Sequence, residues 1–244
     1  MSKWFIRPCK VDIGNMCRKM SINVPLALAL QAKGLNTPKK VKDYFNTENY
    51  SFGDITELVG VKRSFEIIEK AINENKKIFI YGDYDVDGVT STVILYKSLK
   101  ALEANVFYYI PNRVTDGYGL NVNAIERLIG KGMELLITCD NGIAAIEEIK
   151  YAKEKGIDVV IYDHHEPVIK DDKEILPEAD SVTDAKIENC GYDFTVMCAG
   201  GLCYRVMKSF YEYLGQKYTL EKEMIIFAGI ATVCDVVDLV GENR

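Results

Sequence analysis

The chain contains only two histidines, and they stand side by side in Asp163-His164-His165, directly after the apolar run Val159-Val160-Ile161-Tyr162. Imidazole next to carboxylate where a strand stops is a donor set for a divalent metal. Two other apolar runs also end in acid. Lys77-Ile78-Phe79-Ile80-Tyr81 leads into Gly82-Asp83-Tyr84-Asp85-Val86-Asp87-Gly88, and Leu135-Leu136-Ile137-Thr138-Cys139 leads into Asp140-Asn141-Gly142. If Asp83, Asp85 and Asp87 continue an extended chain, alternation puts three carboxylates on one side. At about 5 Å and an effective dielectric of about 20, each like-charged pair costs roughly 3 kcal/mol, so cations or shifted protonation must offset the repulsion. A calcium loop of the D-x-D-x-D-G type would need a glutamate where this chain has Ile94. A solvated acidic turn is the bland alternative, and it weakens once Asp140 and Asp163-His164-His165 fall at neighbouring strand ends.

The elements that must position these groups follow a βαβ rhythm. Short runs rich in β-branched and aromatic residues alternate with helical stretches, the pattern of a parallel sheet buried on both faces. In such sheets ligands bind beyond the carboxyl ends of the strands. The expected order is helix 61–75, strand 77–82, helix 89–103, strand 106–110, helix 121–130, strand 133–139, helix 143–155 and strand 158–162. Residues 166–195 read as a long connection, after which Ala199-Gly200-Gly201 leads into a helix from Leu202 to about Leu214, and a last helical run over 220–233 delivers Cys234-Asp235-Val236-Val237-Asp238. The fold class is α/β, a parallel β-sheet flanked by helices over 61–244. A small helical region over 1–60 precedes it, where Thr37-Pro38 sets an N-cap with proline at the first helical position.

At 244 residues and 48% apolar content the chain can bury a large core. No segment approaches a membrane span, and the start lacks the apolar stretch of a signal peptide, so the expected location is cytoplasmic, with no membrane partner. Seven scattered cysteines, without close C-x-x-C pairs, fit a reducing compartment and argue against a structural zinc site. A net charge of −6 argues against broad, nonspecific binding of polyanions. A local basic groove remains compatible with it, because metal-binding carboxylates account for several of the negative charges.

The three acidic motifs, in this order, resemble the successive signatures of the DHH phosphoesterase superfamily. Ile110-Pro111-Asn112-Arg113 with Gly117-Tyr118-Gly119, the Ala199-Gly200-Gly201 turn, and Asp235-Val236-Val237-Asp238-Leu239 with Gly241-Glu242-Asn243-Arg244 resemble its RecJ branch of single-strand-specific DNA exonucleases. The similarity runs from about Thr37 to Arg244. It implies a centre of two metal ions, manganese or magnesium. Asp85 would bind one ion and Asp87 the other, Asp140 would bridge both, and His164 and Asp235 would complete the ligands of the second ion. His165 would contact the scissile phosphate, which makes His165, Asp140 and Asp163 the catalytic group, with Asp83 and Asp163 orienting the ligands. The charges agree with this, since two dications offset four ligating carboxylates, and O/N donors without thiolate suit manganese or magnesium.

The implied activity is 5′ to 3′ exonuclease action on single-stranded DNA in recombination and repair, alongside repair or replication proteins. Small phosphate substrates such as short oligonucleotides or cyclic dinucleotides are the first alternative. A non-catalytic binding module in a repair or replication assembly is the second, and the full ligand set argues against it. Departures from the family pattern are Tyr81, where many relatives place a metal-binding histidine, and Val182-Thr183-Asp184, where an asparagine-proline pair is commoner. The family's second domain is not expected within these residues. Asn112 and Arg113 could hold a phosphate, or Arg113 could form a structural ion pair. Gly200 and Gly201 could offer backbone N–H groups to an anion, or could serve close packing. Tyr108, Tyr109 and Tyr118 could stack on bases, although the first two alternate along a strand and at least one belongs to the core.

Overall fold

The computed structural model describes residues 12–46, 52–114, 117 and 119–244. Two compact units divide between Phe52 and Gly53. The division precedes the expected one at residue 61, because Ile55 and Leu58 are buried in the core of the larger unit. The smaller unit holds α1 (Ile13–Met20), α2 (Val24–Ala32) and α3 (Pro38–Phe45). Side chains of Asp12, Asn23 and Thr37 cap them by accepting N–H groups of the first turn. Met16, Ala27, Leu30 and Val41 form its core.

The larger unit opens with a 3-10 turn, Ile55–Glu57, and α4 (Val61–Asn73). It continues with β1 (Ile78–Tyr81), α5 (Val86–Ala101), β2 (Val106–Tyr109), α6 (Val122–Gly130), β3 (Leu135–Cys139), α7 (Ile146–Glu154) and β4 (Asp158–Tyr162). After these come β5 (Val168–Lys170), β6 (Lys173–Ile175), β7 (Ser181–Thr183), α8 (Ala199–Tyr213) and α9 (Glu221–Cys234). Five strands form a parallel sheet in the order β2-β1-β3-β4-β7, and β5 pairs with β6 as a separate antiparallel hairpin. The expected bare connection over 166–195 therefore contains three strands. Each has three residues, too few for a period-two pattern to register.

Alternation along the strands divides the core between two faces. Ile78, Ile80, Ile137, Val160 and Tyr162 pack with α4, α5, α8 and α9, while Phe79, Tyr81, Leu136, Val159 and Ile161 pack with α6 and α7. Burying each such side chain contributes about 1.5–3 kcal/mol. Because β1 lies between β2 and β3, the winding reverses at the carboxyl ends of β1 and β3, where a crevice opens. Among the described residues no helix is long and apolar enough to cross a membrane.

Candidate metal centre

Gly82 to Asp85 join the carboxyl end of β1 to α5. Asp85 caps the helix, its Oδ1 accepting the Gly88 N–H at 2.9 Å, so α5 starts at Val86 rather than at residue 89. Asp83, Asp85 and Asp87 thus do not alternate along an extended chain. The turn from Asp83 into α5 packs so closely that a Cβ on Gly88 would lie 2.5 Å from the Asp83 nitrogen. Asp87, in the first turn of α5, is buried, and its two oxygens accept the N–H groups of Ala199 at 2.8 Å and Gly200 at 2.7 Å. The amino end of α8 thereby holds this carboxylate as an anion site would. Asp140 follows β3 in the left-handed region at φ 62°, a conformation aspartate tolerates better than most residues.

These carboxylates converge on His164. Its Nε2 lies 3.1 Å from Asp140 Oδ1 and 3.5 Å from Asp87 Oδ2, and its Nδ1 lies 3.8 Å from Asp235 Oδ2. Donor atoms of Asp87, His164 and Asp235 fall within 4.8 Å of one another, as do those of Asp83, Asp85 and Asp140, and those of Asp140, His164 and His165. Asp83 thus brings a carboxyl oxygen into the donor set. Asp163 faces differently. Its Oδ1 accepts from His165 Nδ1 at 2.7 Å and from the His164 N–H at 2.8 Å, and its Oδ2 accepts the Ile143 N–H at 2.9 Å.

The buried carboxyl groups of the cluster differ in their electrostatics. Burial, then the charges of Asp87 and Asp85, push Asp140 up to about 10. Asp87 and Asp83 are also raised, each first by burial. Burial raises Asp163 too, but the hydrogen bond and charge of His165 and two backbone N–H groups outweigh it, leaving Asp163 below the ordinary carboxylate value. His165 is raised in return, chiefly by its hydrogen bond to Asp163. Ionised Asp83, Asp87 and Asp140 at these distances require a positive counter-charge, which divalent cations would supply. Burial raises the neighbouring Cys139 and Cys203 thiols, so they stay protonated and out of the donor set. An O/N set of this kind fits manganese or magnesium.

Residues 77–232 match the family model described as "DHH family, N-terminal domain". The chain belongs to the DHH family. It is 36% identical over 243 residues to the single-stranded-DNA-specific exonuclease RecJ of Bacillus subtilis (strain 168), an alignment covering 99% of this chain and 30% of that protein. A crystal structure of exonuclease RecJ bound to manganese superposes with TM-score 0.68 at 30% identity, over 77% of this chain and 46% of that one. RecJ from Thermus thermophilus, in complex with manganese, shares the fold, with TM-score 0.71 at 24% identity over 95% of this chain and 31% of that one. The chain spans about a third of the length of the curated relatives it matches.

Around this DHH centre the remaining expected residues divide. Arg113 is exposed, stacks over the Tyr84 ring at 5.4 Å and forms no ion pair among the described residues. The Asn112 side chain accepts the Val114 N–H. Gly200 and Gly201 do not make a phosphate cradle, because the Gly200 N–H goes to Asp87 and the Gly201 N–H to Cys198 Sγ. The alternative of close packing applies, between α8 and α9: a Cβ on Gly200 would lie 2.5 Å from the Ala231 Cβ. Tyr81 is buried with its hydroxyl donating to the Gly119 carbonyl. Tyr108 is exposed, Tyr109 is half-buried, and Tyr118 lies outside the described residues.

The anchor of Asp235 went unread in the sequence. The buried Arg205 pairs with Glu242, which also accepts from the Tyr192 hydroxyl and the Gly53 N–H. This fixes the far end of the loop that follows Asp235, in which Val236 takes φ 59°. A β-branched residue there is strained and persists only where its surroundings hold it. Gly241-Glu242-Asn243-Arg244 is visible as a motif, but a buried ion pair to a residue far upstream leaves no local pattern.

Proposed function

We propose that this chain holds two divalent cations, manganese or magnesium, and hydrolyses phosphodiester bonds of single-stranded DNA from the 5′ end, as the metal-bearing part of a RecJ-like exonuclease. The meeting of two three-residue donor sets, Asp87-His164-Asp235 and Asp83-Asp85-Asp140, carries this reading. When bound, the ions supply Lewis-acid charge neutralisation at the reacting phosphate. Asp140 sits where the sets join, within 3.1 Å of His164, and is assigned the bridge between them. Asp163 accepts the Nδ1 proton of His165 and fixes the ring, so that a raised pKa leaves Nε2–H as a donor to a phosphate oxygen. Arg113 adds a forked donor for a second phosphate.

The test is hydrolysis of a 5′-labelled single-stranded oligonucleotide with manganese, comparing the chain with Asp140→Ala. The reading predicts mononucleotide release by the unaltered chain and none by the variant. Equal rates for both, or no release by the unaltered chain, would refute it.

A further inference from the structure

The net charge of −6 divides into two opposed parts. Residues 1–52 carry nine lysines and arginines against three aspartates and glutamates, whereas residues 53–244 carry 21 against 33. The division between the two compact units, after Phe52, is therefore also a division between a net charge of +6 and one of −12. Such an asymmetry within one chain puts the footprint for a polyanion on the basic part.

The cations of the smaller unit are unspent. Arg18 and Lys19 lie in the last turn of α1, Lys33 follows α2, and Lys39, Lys40 and Lys42 lie on α3. All six are exposed, and none forms an ion pair among the described residues. In the larger unit, by contrast, Lys76, Lys97, Lys153 and Lys208 each pair with a carboxylate. Lys39, Lys42 and Phe45 follow one another at three-residue steps along α3, which puts them on one side of the helix, and Phe45 is 56% exposed. Cations for the backbone beside a ring for a base are what surfaces for single-stranded nucleic acid combine. An anionic lipid surface fits less well, because an interfacial helix carries its basic and apolar faces together. On α1 and α3 the apolar Met16 and Val41 are buried in the unit's own core, and α2, which exposes Val24, Leu26 and Leu28, has no charged residue.

We propose that the smaller unit binds the backbone of single-stranded DNA through Lys39, Lys40 and Lys42, with Phe45 stacking on a base. The choice of this polyanion rests on the phosphodiesterase reading, and the site uses no residue of the metal centre. It supplies the phosphate neutralisation that a unit of net charge −12 does not.

The experiment measures binding of a fluorescently labelled oligo-dT to the full chain in EDTA over a range of salt concentrations. K39E/K40E/K42E reverses the three cations of α3, and K70E/K100E/K222E, at three exposed positions of the larger unit, makes the same change in net charge. Loss of three phosphate contacts lowers the slope of log K against log salt by about 2, and the first variant should bind at least about tenfold more weakly at low salt. The second variant should keep the slope and most of the affinity, since charges away from the site are screened. K39Q/K40Q/K42Q should lose the same slope, and Phe45→Ala should lose affinity at unchanged slope. Melting curves check that each variant is folded. No binding by the unaltered chain at low salt, or equal effects of the two reversed sets, would overturn the proposal. So would binding to phosphatidylserine vesicles that K39E/K40E/K42E abolishes, without binding to oligo-dT. Because no turnover is read, hydrolysis by the unaltered chain with equal binding by both sets would refute the basic site alone. Binding that depends on α3, without hydrolysis in manganese, would refute the phosphodiesterase reading alone.

Discussion

His164 and His165 are neighbours in sequence with opposite surroundings. His164 is nearly buried among Asp87, Asp140 and Asp235, whereas His165 is partly exposed and its Nδ1 is held by Asp163. Loss of a ligand and loss of a phosphate donor should therefore separate. Asp140→Ala should lose bound manganese, while His165→Ala should keep it and turn over about 10²–10³-fold more slowly, the usual cost of one preorganised donor. Metal analysis of the two purified variants beside their rates decides this, and equal metal loss in both would show the assignment wrong. Asp184 gives a second test. It is fully buried, its Oδ2 has no partner among the described residues, and burial pushes it up to about 7. The native state binds this proton more tightly than the unfolded chain does. Its contribution to stability is therefore complete below about pH 4 and is lost as pH rises through about 7. Asp184→Asn removes the titration and keeps an oxygen for the Lys186 N–H. The variant should gain on the unaltered chain by up to about 4 kcal/mol between pH 4 and pH 8. Parallel denaturation profiles across that range would contradict it.

At the scale of elements, the site depends on how closely α5, α8 and α9 approach. Gly200 permits this, with room for no Cβ between Ala231 and the Asp87 carboxylate. Gly200→Ala should cost about 1–3 kcal/mol in urea denaturation through overpacking, and should weaken manganese binding by displacing Asp87. An unchanged midpoint and unchanged affinity would show that the helices yield freely. Much of this architecture was legible in the sequence. The long apolar runs marked β1, β3 and β4, and the acids that follow them reach one crevice, because parallel strands end together. The start of α5 was misplaced because Asp85 is both a carboxylate of the cluster and a helix cap, so the alternating acids imitated an extended chain. The strand β7 was unreadable because Ser181-Val182-Thr183 has meaning only beside β4. Gly200 and Gly201 suggested an anion cradle, and the anion there is the protein's own Asp87.

For the whole molecule, crowded carboxylates and a net charge of −6 set the terms. With manganese at a hundredfold excess over Kd, binding to the folded state alone should stabilise it by about 2.7 kcal/mol, read as a raised melting midpoint that EDTA reverses. The division into two units was legible only as a helical start before an α/β pattern. Its boundary was not, because Ile55 and Leu58 join the larger core through tertiary packing that no local periodicity announces. Everything proposed for this chain follows from the assignment of its donor groups to two ions. Counting those ions tests it most directly, by titrating the metal-free chain with manganese and following free ion by electron paramagnetic resonance. The account predicts two ions bound per chain, and fewer for Asp140→Ala. No bound ion in the unaltered chain, or an identical isotherm for the variant, would contradict it.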